Sequence, residues 1–219
     1  GGALNTGRNT LMAAGTRDAN LAFAGEGPPN VTNCELYNGS SWTATPNSMG
    51  TARDNLCGTG TQTSALAYGG RNPSNANVTN FEEWNGSSWT AGGALPQATH
   101  KAQGAGTQTA GLAFTGHDFG SPGTLNSTEE YDGSSWTASN NYPISVRQVC
   151  GAGTQTAAWG AGGNGPSVPS ANSVTAQYDG TSWSTAPSLG TARYSSSSGG
   201  PNVAGIVVGG SAPALSNAT

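Results

Sequence analysis

The sequence predicts an all-β protein: a β-propeller built from four-stranded antiparallel blades. Three observations predict it. One aromatic turn is written four times, at Tyr37–Trp42 ("YNGSSW"), Trp84–Trp89 ("WNGSSW"), Tyr131–Trp136 ("YDGSSW") and Tyr178–Trp183 ("YDGTSW"), and its last tryptophan recurs every 47 residues. A glycine-bounded stretch recurs five times with constant length, Gly15–Gly25, Gly60–Gly70, Gly106–Gly116, Gly153–Gly163 and Gly200–Gly210. No segment carries an apolar repeat of helical period, and turn residues punctuate short apolar runs at strand spacing. A repeat of this length with four strand-sized segments is the signature of a propeller blade.

Each unit divides into four segments, and the second shows them most clearly. The first, "RDNLCGTG" from Arg53, is made of small residues, as strands crowded around an axis require. The second, "SALAYGG" from Ser64, is apolar and ends at a glycine doublet. The third, "VTNFEEW" from Val78, leads into the aromatic turn, and the fourth, "SSWTA" from Ser87, leaves it through tryptophan. Gly, Asn and Asp at the boundaries tolerate the positive φ that tight hairpins need. On this pattern the chain is one domain, 1–219, with blades at about 8–44, 53–91, 100–138, 147–185 and 193–219. That is roughly four and two-thirds units, and the reading is five blades with the last incomplete. Small residues throughout the first segments ("LMAAG", "LCGTG", "AQGAG", "VCGAG", "SSSSG") favour a tight ring with few blades.

One further position recurs upstream of the motif glycines. Arg8, Arg53, His100, Arg147 and Arg193 stand six or seven residues before them. Glu35, Glu82 and Glu129 recur two residues before the turn aromatic, with Ala176 breaking the series. The expectation is one structural Arg–Glu pair per blade. Cys57 and Cys150 share a slot in blades that are not neighbours, so a disulfide between them is not expected. With Cys34 they make three cysteines and no CxxC pair, which excludes a zinc site or disulfide framework by spacing.

Composition excludes several functions. The only lysine is Lys101, and the net charge is −4, so neutralisation of a nucleic-acid backbone is not expected. No apolar run reaches the ~18 residues that span a membrane. His100 and His117 are the two histidines, and no GxSxG, HExxH or P-loop pattern occurs, so neither a catalytic set nor a metal site nor a cofactor site is predicted. The four turn tryptophans have two readings: packing between blades, or a sugar-stacking platform.

The order of glycine doublet, aromatic, tryptophan and basic residue (Gly69–Gly70, Trp84, Trp89 and His100; Tyr131, Trp136 and Arg147) resembles the kelch repeat of β-propellers. The doublet is broken at Ala24-Gly25 and Thr115-Gly116. The phrasing "GTQT…GG…EEYDGSSWTA" is also similar to repeat proteins encoded by environmental, particularly marine, bacteriophages. The resemblance implies a non-enzymatic binding module on a virion appendage, a tail fibre or receptor-binding domain. Its partners would be a host surface protein or glycan and other virion proteins, outside the cell, with a homo-oligomer as a further expectation. The alternatives are a structural spacer, a lectin using the repeated tryptophans, and an oxidase-type propeller, for which His and Tyr ligands are too few. The connections from second to third segment differ in every unit, whereas "GTQT" and "DGSS" barely change. Variable loops on a rigid scaffold commonly carry recognition. The candidate ligand-binding residues are therefore Arg71, Asn72, His117, Asp118, Phe119 and Tyr142.

Overall fold

The computed structural model describes residues 2–27, 29–119, 123–166 and 171–212, and among them every regular element is a strand. The first blade comprises β1 (Met12–Gly15), β2 (Asn20–Phe23), β3 (Cys34–Tyr37) and β4 (Trp42–Ala44). The second holds β5 (Cys57–Thr61), β6 (Ser64–Tyr68), β7 (Asn80–Trp84) and β8 (Trp89–Ala94). The third holds β9 (Gln103–Gly106), β10 (Gly111–His117), β11 (Thr124–Tyr131) and β12 (Trp136–Ser139), and the fourth β13 (Cys150–Thr154), β14 (Ala157–Ala161), β15 (Thr175–Tyr178) and β16 (Trp183–Ala186). In all four the strands pair antiparallel in chain order. The fifth unit contributes only a hairpin, β17 (Ser197–Gly199) and β18 (Ile206–Val208).

The expectation of five blades is thereby corrected to four complete blades. The fifth unit has no aromatic turn, the element that ties third strand to fourth in every other unit. That turn is held in two ways. Its two aromatics lie opposite each other in the ladder, Tyr131 against Trp136 for example, with ring centroids 5.2 Å apart. The Asn or Asp between them accepts bonds from two backbone amides: Asp132 Oδ1 takes the N–H groups of Ser134 and Ser135 at 2.9 Å. Asn38, Asn85 and Asp179 do the same. An Asx turn of this kind explains why only Asn and Asp occur there.

Blades pack face to face through one repeated set of side chains. Leu21 and Phe23 of β2 are fully buried against blade two, where they meet Ala65, Ala67, Trp84 and Trp89. Leu66 and Tyr68 meet blade three in the same way, and Leu112 and Phe114 meet blade four. The turn tryptophans complete these faces: Trp89 lies 5.0 Å from Phe23, Trp136 4.8 Å from Tyr68, and Trp183 4.8 Å from Phe114, centroid to centroid. Burying one such side chain contributes about 1.5–3 kcal/mol. Cys34, Cys57 and Cys150 are free and buried in these interfaces. The equivalent pair in β18, Ile206 and Val208, is 61% and 56% exposed, since no blade among the described residues covers it.

The uniform "GTQT" turn is explained by a second inter-blade device. Gln62 Nε2 donates to the carbonyls of Asn20 and Tyr37 in the preceding blade, Gln108 to Ala65 and Trp84, and Gln155 to Gly111 and Tyr131. Each glutamine thus bridges strands two and three of its neighbour. We predict that Gln108→Ala lowers unfolding stability by about 1–3 kcal/mol, since it strips two carbonyls of a partner. Urea denaturation measures this, and an unchanged midpoint would show the clamp to be dispensable.

Candidate functional site

Around the axis the five units meet on one face, the face of the variable loops. There Thr10, Asn55, Lys101, Gln148 and Ser195 occupy one equivalent position, each with left-handed backbone at φ 48–57°. Their amides form a relay: Asn55 donates to Thr10, Lys101 to Asn55, Gln148 to Lys101 and Ser195 to Gln148. No such bond joins Ser195 to Thr10 among the described residues. These five residues, with Leu11, Leu56, Ala102, Val149 and Ser196 below them, line a depression of about 190 Å³ at the axis. Left-handed backbone on non-glycine residues costs of order 1–3 kcal/mol each and persists only where the surroundings impose it.

Outside this ring lies a second one, formed by bridges between the entry to each inner strand and the exit of the next. The bridged pairs are Asn9 with Glu26, Asp54 with Arg71, His100 with His117, Arg147 with Asn164, and Tyr194 with Ser211. This pairing corrects the sequence register. His100 and Arg147 align with Asn9 and Asp54, one residue beyond the slot of Arg8 and Arg53. That slot holds Thr99 in blade three and Val146 in blade four, whose carbonyls accept from Gly70 and Gly116 as that of Arg53 accepts from Gly25. The connection after Trp42 is one residue longer than the other three, which disguises the shift. Counting back seven residues from each motif glycine would have found it.

The corrected slot explains the carboxylates. Arg8 pairs with Glu35, and Arg53 with Glu82 at 3.0 Å, all four side chains buried. Burial works against ionised Glu35, but the Asn5 amide, Arg8 and the Thr6 amide together hold its carboxyl below the usual range. Blade four has lost both partners, to Val146 and Ala176. Blade three has lost only the cation, leaving Glu129 buried in a blade whose arginine slot holds Thr99.

The mouth of the axis collects the charge that is not paired. Arg71 is bound to Asp54, whose other oxygen accepts from Asn30. Lys101 and Arg147 have no side-chain hydrogen bond or ion pair among the described residues. His100 and His117 meet edge to face with centroids 4.8 Å apart, and Phe119 stacks over His100 at 5.3 Å. Asn77 Nδ2 donates to the His117 carbonyl at 2.8 Å and ties blade two to this spot.

Of the six residues expected to bind ligand, four converge here: Arg71, His117, Asp118 and Phe119. Phe119 is 60% exposed. Asn72 shapes its own loop instead, its Oδ1 accepting from the Ser74 and Ala76 amides at 3.0 Å. Tyr142 does not reach the face: it is buried, stacked against Phe114 and edge-on to Trp183. A tyrosine leaving an outer strand read as a loop residue; its apolar neighbours Ile144 and Val146 were the signal that it packs inward. Sequence reasoning missed Lys101 and Arg147 as neighbours at the axis. The turn tryptophans are also settled in place. Trp89, Trp136 and Trp183 lie between blades, the first donating to Cys34 Sγ and the last to Thr128 Oγ1, so they are not an exposed stacking platform. Trp42 lines an apolar depression of about 470 Å³ on the side of blade one away from blade two, with Leu4, Leu11 and Tyr37.

Fold and geometry together define the class: an all-β protein with four-stranded antiparallel blades in a propeller arrangement. The solved structure of YjhT, a β-propeller, matches it at a TM-score of 0.81 and 13% identity, over 96% of this chain and 79% of that one. At that identity the likeness is one of fold. No family model and no curated protein matches the chain.

Proposed function

We propose that the chain is a kelch-like, non-catalytic recognition module that binds its target through the variable-loop face around the axis. One observation carries the reading. The exposed Phe119 lies on that face together with Lys101 and Arg147, which are unpaired among the described residues, whereas the opposite face engages its polar groups in Asx turns and glutamine clamps. An aromatic on a loop that differs from blade to blade, beside cations at the strand entries, suits a specific, irregular target. The target class is a cell-surface protein or glycan. The similarity to phage-encoded repeat proteins supports a virion appendage, outside the cell and joined to other virion proteins, as the setting.

Phe119→Ser is expected to lower attachment to host cells or to an immobilised glycan array at least ~10-fold, the loss of an anchoring aromatic. Thr137→Lys, exposed on the outer strand β12, leaves attachment unchanged. Equal attachment by both variants would overturn the binding face and leave a spacer role.

A further inference from the structure

We propose that Lys101, Arg147 and the His100–His117 pair form a subsite for an oxyanion, a carboxylate or a sulfate- or phosphate-type group, carried by the target of this face. The proposal deepens the recognition reading and rests on it.

The chain is acidic overall, at −4, yet three cations from three successive blades, Arg71, Lys101 and Arg147, stand near enough to act on one another and on the two histidines. Among the described residues, Arg71 is the one of the three with a carboxylate in an ion pair, Asp54. The remaining two oppose each other. Burial pushes the Lys101 ammonium down from its ordinary range, and Arg147 and Arg71 push it further, with Asp54 opposing. The histidines feel the same field. His100 is held at about 3, by burial first and then by His117, Lys101 and Arg71. His117 is lowered by burial, then by Arg147 and Lys101, with Asp118 opposing. Both rings are therefore neutral at pH 7.

A second observation is independent of charge. Among the described residues, four side-chain nitrogens here have no hydrogen-bond partner: Arg71 Nε, His100 Nδ1, His117 Nδ1 and Arg147 Nε, on residues of the bridged ring where His100 pairs with His117. His100 is only 4% exposed, so its Nδ1 is withdrawn from bulk water as well. An unmade hydrogen bond of this kind costs about 1–3 kcal/mol. An oxyanion answers both features. It supplies the missing negative charge, and its lone pairs accept from guanidinium, ammonium and imidazole N–H groups in short, strong bonds. Phe119, stacked on His100, forms an apolar wall beside it. The equivalent positions in the first and fifth units are Asn9 with Glu26 and Tyr194 with Ser211, so the feature is confined to blades two to four.

The proposal has a signature that a structural role lacks. A bound anion stabilises both imidazolium forms, so binding takes up protons and tightens as pH falls. The histidine ring resonances of the whole chain are followed by NMR through a pH titration in sodium sulfate, in sodium acetate, and in sodium chloride of matched ionic strength. The expected result is a rise of the His117 pKa by roughly half a unit or more in sulfate or acetate over chloride. Sulfate alone, or acetate alone, identifies the geometry preferred. The rise disappears in Lys101→Asn/Arg147→Gln, with folding checked by circular dichroism. Equal pKa values in all three salts, or a rise that survives in a folded double variant, overturns the subsite. Should the double variant fail to fold, the comparison of salts in the unaltered chain decides alone. A negative result here, with Phe119→Ser still abolishing attachment, removes the subsite and leaves the binding face standing.

Discussion

Replacing Arg53 by methionine is expected to destabilise the protein by about 3–5 kcal/mol, among the largest effects of any single substitution. The guanidinium is 0% exposed and closes three contacts within blade two. Nη1 donates to the carbonyls of Gly69 and Asn80 at 2.8 and 2.9 Å, and Nη2 to Glu82 Oε1 at 3.0 Å. Glu82 in turn accepts from the Gly50 and Thr51 amides, so the pair fastens the chain entering the blade to its second and third strands. Methionine keeps most of the volume but leaves a buried carboxylate without its counter-charge and takes a donor from the Gly69 and Asn80 carbonyls, the latter keeping the Gly69 amide. The chain holds its own control. Blade four folds with Val146 and Ala176 at the same two positions, both buried. The double replacement Arg53→Val/Glu82→Ala is accordingly expected to cost clearly less than Arg53→Met, because no charge is left without a counter-charge. Guanidinium unfolding of the three chains measures the difference. A double variant as unstable as the single one would mean that the carbonyl contacts, not the ion pair, hold the blade together.

How far the sequence could be read follows from which signals were local. The strand order and the hairpin at Tyr131–Trp136 were legible because each repeats in a fixed register, and a repeat is visible without partners; the same repeat left Trp89, Trp136 and Trp183 open between packing and stacking, which their contacts with the preceding blade decide. The Arg–Glu pairing was legible in blades one and two for the same reason. The register at Thr99 and Val146 was not, because one residue extra after Trp42 let His100 and Arg147 mimic the arginine slot. Tyr142 was misplaced because its burial depends on Phe114 and Trp183, residues distant in sequence. The glutamine clamps were hidden differently. "GTQT" announces its own importance, but the acceptors are backbone carbonyls of the preceding blade, which no side-chain pattern records. At the axis, Lys101 and Arg147 are 46 residues apart and meet only because successive blades pack inner strand beside inner strand. Loop variability singled out the face for which the recognition reading is proposed; the charges on it come from the strand entries, which vary little in length and attracted no notice.

The same loss of an arginine that exposed the register makes blade three pH-sensitive. Glu129 is 3% exposed, in a blade whose arginine slot holds Thr99, and its Oε2 has no partner among the described residues. Burial raises its carboxyl to about 7, against a smaller lowering by the Gln97 amide. In the unfolded chain the same group titrates near its ordinary value of 4.5. Folding therefore takes up a proton between these two values. The contribution of Glu129 is fully present below about pH 4.5, declines as pH rises, and is lost above about pH 7, a change on the order of 3 kcal/mol. Glu35, held below its usual range, acts in the opposite sense and at lower pH. The two are separated by comparing variants. Glu129→Gln keeps the shape and removes the titration, so its stability should exceed that of the unaltered chain at pH 8 and approach it at pH 5. Thr99→Arg rebuilds the pair of the first two blades and should flatten the curve over the same window. Denaturant unfolding at half-unit steps from pH 5 to pH 8 reads both. Parallel curves for the unaltered chain and Glu129→Gln would show that the carboxylate is ionised and solvated in the folded protein. A widening gap as pH rises would show that blade three carries a buried acid where blades one and two carry an ion pair.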